Sequence, residues 1–364
     1  MANIDIKKFV DINIQAPVIR SVDATRKTVV LFTPEGVNGT VVEFETYADA
    51  VSTLNATTFV NTLAYLKVFF EANGVKCRVI EGTAYTALST TVLKNLANDY
   101  IVVACVVPSA NMAAGYTALS TLAQSMEEDT DVYGVNEKVI LARTTDATDT
   151  NVAKNFVAKY SSVLGAEMTV AAYFSQVNIK RQNSIWDYCF TAEPKLDPED
   201  IDTSTFETLM TNNYNVDISL GGATRNLGGN MKNGQDAINE YVRIVLHQTL
   251  TQRLVDLLVT KLKGSDGVGA IYTAITQELE IYRDAGYLTT DKIWTADDLT
   301  KVYNGQQYTI IEKGTALTTG YHIRVLPLLS LSAEDKADRK APPIYVILAD
   351  QYGIRQITIN GEVI

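Results

Sequence analysis

The sequence predicts an α/β domain in the N-terminal and middle regions and an α+β domain in the C-terminal region, with extended strand-forming arms at both ends. Three observations lead to this prediction. Short apolar strands alternate with helices from residue 28 to about residue 174, as in a layered, largely parallel sheet. After about residue 210, helices come first and strands follow, which is typical of α+β. Strand-prone residues without an evident local partner stand at both ends. The predicted N-terminal arm is residues 1–27, and the α/β domain is residues 28–210. The α+β domain is residues 211–343, and the C-terminal arm with its strands is residues 344–364.

The first predicted unit is strand–helix–strand between residues 28 and 81. Thr28–Thr33 is an apolar strand, proline opens a turn at residues 34–36, and Val41–Phe44 is a second strand before a short helix that Thr46 caps. A helix over residues 58–73 follows, because apolar residues recur there at the helical period, and Gly74 stands where a C-terminal cap belongs. These apolar residues are Phe59, Leu63, Leu66 and Phe70. Residues 76–81 close the unit as a strand.

The same alternation continues along the middle of the chain. The wholly apolar run at residues 100–107 predicts a buried strand. The pattern also predicts helices over residues 112–127 and 151–164, and strands over residues 138–142 and 168–174. Strands that alternate with helices in this way favour a parallel sheet.

The second half begins with helices and ends with strands. A short helix is predicted at residues 206–211, and a long helix at residues 235–262 follows a glycine-rich loop. Residues 264–267 are expected to stop that helix, before a second amphipathic helix with apolar residues Ile271, Ile275, Leu279 and Tyr282. The predicted strands are residues 308–313, 321–329, 344–348 and 353–363.

The strand-prone residues at the two ends are the candidate interaction residues. They are Val10, Ile12 and Ile14 in the N-terminal arm, and Ile354, Ile357, Ile359 and Val363 in the C-terminal arm. An unpaired strand is an adhesive edge, so each arm should pair either with its own domain or with another subunit.

Composition and motifs argue against most catalytic functions. The chain of 364 residues carries a net charge of −11, which disfavours binding to nucleic acid or to an anionic membrane surface. No apolar run is long enough to span a membrane, and no secretion signal is evident, so we expect no direct membrane insertion. With two histidines, three scattered cysteines and no phosphate-loop or nucleophile motif, we expect no catalytic, cofactor or metal site. The cysteines are expected to be reduced and buried.

Three blocks resemble the contractile-tail sheath proteins of bacteriophages and related injection machines. The first is RKTVVLFTPEGVNGTVVEFETYADAV at residues 26–51, leading to NTLAYLKVFFEANGVKCRVI at residues 61–80. The second is the helix pair of residues 233–288, and the third is LSAEDKADRKAPPIYVILADQYGIRQITINGEVI at residues 331–364. The likeness covers about half of the chain. Gly74-Val75 replaces the paired glycines of many relatives, a longer turn stands at residues 350–353, and residues 82–210 match nothing.

The resemblance implies a structural, non-enzymatic subunit without a cofactor. Such subunits form stacked hexameric rings around an inner tail tube, and their arms add strands to neighbouring subunits. Contraction then drives the tube through a cell envelope. The resemblance implies further partners in baseplate and tail terminator proteins, assembly in the host bacterial cytoplasm and a place in the virion tail. It also makes residues 28–210 an outer domain and residues 211–343 an inner domain that faces the tube.

The region of the long predicted helix is less acidic than the chain as a whole. Over residues 235–263, the four basic residues, Arg243, Arg253, Lys261 and Lys263, outnumber the three acidic residues, so this segment carries a net charge of +1. We therefore expect these four residues to contact the tube, against the simpler interpretation that they are solvated charges. Two alternatives to the sheath subunit stay open, another tail or baseplate structural protein and, less favoured, a soluble α/β enzyme.

Overall fold

The computed structural model describes residues 13–14, 28–36, 41–95, 100–128, 138–179, 187–193, 195–258 and 264–351. The strands are β1 Asn13–Ile14, β2 Thr28–Thr33, β3 Val41–Phe44, β4 Cys77–Glu81, β5 Tyr100–Cys105, β6 Val139–Thr144, β7 Phe156–Tyr160, β8 Asn215–Leu220, β9 Ala223–Leu227, β10 Leu299–Tyr303, β11 Gln306–Ile311, β12 Tyr321–Val325 and β13 Ile344–Leu348. The helices are α1 Tyr47–Thr53, α2 Val60–Glu71, α3 Thr90–Asn95, α4 Met112–Glu128, α5 Met168–Gln176, α6 Thr203–Thr211, α7 Ala237–Leu258, α8 Gly264–Asp284 and α9 Ala333–Ala337.

An eight-stranded sheet dominates the fold. Its strand order is β3-β4-β2-β5-β6-β7-β8-β9, with parallel pairing from β4 to β8 and antiparallel pairing at each edge. The prediction of a largely parallel sheet is confirmed. Because β8 and β9 complete this sheet, it extends past residue 210, and the division into domains stays a prediction.

Helices cover both faces of this sheet. In β2, Val29 and Leu31 join a core with helices α2, α5, α7 and α8, while Val30 and Phe32 join a second core with α4 and α6. Every residue of β5 and β6 is buried, as expected for central parallel strands that lie between two layers.

Two predicted elements in the middle of the chain have the wrong type. The helix predicted at residues 151–164 is instead the strand β7, and the strand predicted at residues 168–174 is helix α5. Helix α5 is buried on all sides, with seven of its nine residues inside the core, so its sequence lacks the 3.6-residue apolar period of a half-exposed helix. Its valine and aromatic residues then resemble those of a strand.

The helix terminations differ from the prediction in two places. Gly264 begins α8, so residues 264–267 do not form the expected stop, and Asp266 lies in the first turn, where the helix dipole favours a carboxylate. At the end of α2, the residue with a positive φ is Asn73, at 62°, and the amide of Gly74 donates to the carbonyl oxygen of Phe69 at 2.9 Å. Gly74 is needed for a different reason, since a Cβ there would lie 2.4 Å from the Phe69 ring.

Candidate interaction site

A three-stranded sheet in the C-terminal region forms the centre of the candidate interaction site. Its strand order is β1-β13-β12, so β13 lies in the middle, and β12 is one edge among the described strands. Asn13 and Ile14 pair in parallel with Tyr345 and Val346 of β13. The backbone pairing thus brings the described part of the N-terminal arm beside the strand from which the C-terminal arm departs.

Strand β13 connects two hydrophobic cores. Val346 packs in the core that contains α7 and α8, whereas Tyr345 and Ile347 face the opposite way, into a smaller core with Tyr308 and other apolar residues of the β10–β11 hairpin region. Alternating side chains on a strand point to opposite faces, so a strand buried on both sides is held by both cores. Strand β13 is therefore held by packing on both of its faces.

The segment that follows β13, residues 349–351, is fixed by its backbone. We call this segment the junction. The Ala349 amide donates to the carbonyl of Gly320 at 2.8 Å, and the Ala349 carbonyl accepts from the amide of Thr289 at 2.8 Å. The Gln351 amide donates to the carbonyl of Tyr287 at 3.1 Å. The junction is therefore held by backbone hydrogen bonds at Ala349 and at Gln351.

Side chains of helix α7 also hold the junction. Asn239 Nδ2 donates to the Gln351 carbonyl at 3.0 Å, and Arg243 forms ion pairs with both Glu240 and Asp350. The Nζ of Lys292 donates to the Asp350 carbonyl.

The charged group is largely removed from solvent. The side chains of Glu240, Asp350 and Arg243 are 5%, 14% and 17% exposed. Burial raises the pKa of the Glu240 carboxyl, the Arg243 guanidinium opposes this rise, and the Asp350 carboxylate adds to it. Arg243 therefore balances two carboxylates that would otherwise repel each other in a poorly solvated place.

Most of the candidate arm residues lie outside the described part of the chain. These are Val10, Ile12, Ile354, Ile357, Ile359 and Val363, and their role between subunits stays a prediction. Ile14 is described through its backbone and pairs with Val346 of its own chain.

Of the four basic residues predicted to contact the tube, two lie in the described part of the chain, and these two have different surroundings. Arg243 is occupied by carboxylates of its own chain, whereas Arg253 is exposed and donates to Gln277 Oε1 at 2.6 Å. Lys261 and Lys263 lie outside the described residues. Tube contact stays a prediction for all four.

Sequence reasoning missed the residues that hold the junction: Asn239, Glu240, Lys292 and Asp350. One local signal was present, because Glu240 and Arg243 have the i, i+3 spacing of neighbours on a helix. The second partner of Arg243 is Asp350, 107 residues further along the chain, and no spacing rule reaches that far.

The cysteines and histidines, residue types common in catalytic and metal sites, are buried or partly buried in this fold. Cys77 and Cys105 are buried, Cys189 is partly buried, and all three are free thiols. His247 is buried in α7, and the Nε2 of His322 lies 2.9 Å from the carbonyl oxygen of Ile310. Within the described ranges, no group of three or more His, Cys, Asp or Glu side chains is arranged to hold a metal ion.

The C-terminal region matches the model of a known protein family in sequence. Residues 237–363 match the family described as E217 tail sheath protein gp31-like, C-terminal domain. A comparison with curated proteins finds no match.

Structure comparison extends the likeness to nearly the whole chain. A chain of the anti-feeding prophage (AFP) helical sheath in its contracted state is similar with a TM-score of 0.64 and 15% identity, over 97% of this chain and 98% of that chain. A chain of the AFP baseplate in its contracted state is similar with a TM-score of 0.60 and 15% identity, over 97% and 96%. A sheath tail protein from Desulfitobacterium hafniense has a TM-score of 0.47 and 6% identity, over 78% of this chain and 91% of that chain. The resemblance to contractile-tail sheath proteins is thus confirmed: the last third of the chain matches a tail sheath C-terminal domain in sequence, and the chain as a whole shares the fold of an AFP sheath chain.

Proposed function

We propose that the chain is a structural subunit of a contractile tail sheath. It polymerises as stacked hexameric rings around an inner tail tube, and contraction drives the tube through a cell envelope. Its partners are other copies of itself, the tube protein, and the baseplate and tail terminator proteins. It assembles in the host bacterial cytoplasm and resides in the virion tail.

The family match at residues 237–363 carries this proposal. The matched region contains helices α7 and α8, the sheet strands β12 and β13, the junction, and most of the predicted C-terminal arm. The fold shared with an AFP sheath chain over 97% of this chain supports the extension from one region to the whole subunit.

The geometry of the candidate site fits a subunit that is linked through its ends. An extended arm of about 20 residues reaches at most about 65 Å, which is enough to cross to a neighbouring subunit. The edge strand β12 offers backbone groups to such an arm, and strand addition satisfies them without requiring a pocket. Repetition of this head-to-tail contact around a screw axis gives a tube rather than a closed dimer.

A second candidate function is a structural role in the baseplate. The similarity to a chain of the AFP baseplate, with a TM-score of 0.60 over 97% of this chain, favours it next to the sheath. A baseplate component would form closed or small assemblies, whereas a sheath subunit would form tubes of fixed diameter.

Electron microscopy of the purified protein separates these functions. We expect hollow, striated tubes from the full chain and only soluble, folded subunits after deletion of residues 354–364. If the full chain forms only monomers or small closed oligomers under all conditions, the sheath function is wrong. If tubes form without residues 354–364, linkage through the C-terminal arm is wrong.

A matched pair of variants tests the arm more sharply than the deletion. In an extended strand, Ile357 and Ile359 lie on one face, and Gln356 and Thr358 lie on the other. Ile357→Lys with Ile359→Lys should abolish tubes, because it places charges on the apolar face. Gln356→Lys with Thr358→Lys adds the same charge to the polar face and should leave tubes intact. Equal effects of the two pairs would refute burial of the apolar face.

A further inference from the structure

We propose that Arg243, paired with Glu240 and Asp350, locks the junction to helix α7 and so carries tension from the C-terminal arm into the subunit core. The proposal rests on the sheath function for its role in assembly, and on the geometry of the subunit alone for the lock itself.

The position of the lock is the first argument. The junction comes directly after β13 and directly before residues 352–364, which make up the rest of the predicted C-terminal arm. A pull on that arm reaches residues 349–351 before it reaches any strand. The backbone bonds of the junction, to Gly320, Tyr287 and Thr289, all go to loops. Arg243 and Asn239 connect it instead to a helix of 22 residues.

The second argument is the rigidity of helix α7. Ile238, Tyr241, Val242, Val245 and Leu246 are buried in the same core as the central strands of the large sheet. A force that enters at Arg243 is therefore distributed over the packed core and is not taken up by a surface loop.

The third argument is the chemistry of the bond. A guanidinium offers donors in a planar fork, which allows Arg243 to serve Glu240 on its own helix and Asp350 on the junction together. A lysine offers a single point of charge and matches this arrangement less well. Removal of the arginine leaves two carboxylates close together with 5% and 14% exposure, so they would repel the junction from the helix.

Hydrogen exchange of the purified subunit tests the lock without any assembly. In Arg243→Gln, the amides of Ala349 and Gln351 should lose about tenfold in protection, because hydrogen bonds to charged groups contribute more than a neutral bond does. The amides of β5 should not change, which shows that the fold is intact. Arg243→Lys should fall between the parent and Arg243→Gln. Arg253→Gln, an exposed arginine on the same helix, is the matched control and should have no effect. If exchange at the junction is the same in Arg243→Gln and the parent, the lock does not exist.

Tube formation then tests whether the lock transmits force. We expect Arg243→Gln to form few tubes, or tubes that break on contraction. Lys67→Gln, which removes an exposed positive charge from α2, should form tubes like the parent. Normal, stable tubes from Arg243→Gln with a loosened junction would overturn the transmission of force. Asp350→Asn gives a second route to the same result if Arg243→Gln does not fold. If the parent itself forms no tubes, the sheath function fails, and the exchange result still decides the lock.

Discussion

A buried carboxyl beside the large sheet should make the stability of the subunit depend on pH. Glu193 is 2% exposed, and its Oε1 accepts a hydrogen bond from the Tyr188 hydroxyl at 3.2 Å. Lys159, a buried cation that acts on this carboxyl, donates to Asp217 Oδ1 at 2.7 Å. Burial raises the pKa of Glu193 to about 7; Lys159 opposes the rise, and the Asp217 carboxylate adds to it. The positive charge of Lys159 therefore interacts with two carboxyl groups, those of Asp217 and Glu193.

The sign of the effect follows from proton linkage. In the unfolded chain this carboxyl titrates near its ordinary pKa of about 4.3, so between there and pH 7 the folded state holds a proton that the unfolded state has released. Stability is therefore full below the unfolded pKa and falls as pH rises through the folded pKa. The rise of the pKa from about 4.3 in the unfolded chain to about 7 in the folded chain corresponds to about 3 kcal/mol above pH 7. Glu193→Gln is neutral at every pH and removes this loss.

Urea unfolding at two pH values measures the effect. Glu193→Gln should raise the free energy of unfolding by up to about 3 kcal/mol at pH 8 and change it little at pH 4.5. Glu207→Gln, at an exposed position in α6, is the control and should leave the pH dependence of the parent unchanged. If Glu193→Gln changes stability equally at both pH values, the buried proton is not on Glu193 and the reasoning is refuted.

Two further predictions concern stability and use the same unfolding measurement. Gly228→Ala should cost about 2–3 kcal/mol, because φ is +112° and a Cβ would lie 2.5 Å from the Tyr214 carbonyl oxygen. Gly221→Ala, also at positive φ but with open space around it, should cost only about 1 kcal/mol, and equal costs would contradict the clash. Lys159→Met should cost about 3–5 kcal/mol, because it leaves the Asp217 charge buried without its partner. The double variant with Asp217→Leu should recover most of that loss, and no recovery would contradict this cause.

Local chemistry was sufficient to predict elements that have one exposed face, a distinct cap or an uninterrupted apolar run. Thr46 caps α1 and accepts from the amide of Asp49, as its position before the helix predicts. The fully apolar β5 and the half-exposed helix α4 were also predicted from their patterns. Helix α5 and strand β7 were not, because complete burial removes the contrast between faces on which periodicity depends.

The candidate site was predictable only in its outline, and the reason is the distance along the chain between its parts. The strand-prone residues that predict the arms can be recognised locally in the sequence. The candidate site itself is built from α7, the segment after α8, and β13, which are far apart along the chain. The backbone of Asn13 and Ile14 meets β13 at Tyr345 and Val346, and the junction begins only three residues after Val346. Residues 13–14 and the junction thus meet at one strand, and that strand is buried between two cores. If the arms link subunits as proposed, the tension of both arms enters the fold at this strand, and the proposed Arg243–Asp350 lock lies directly after it.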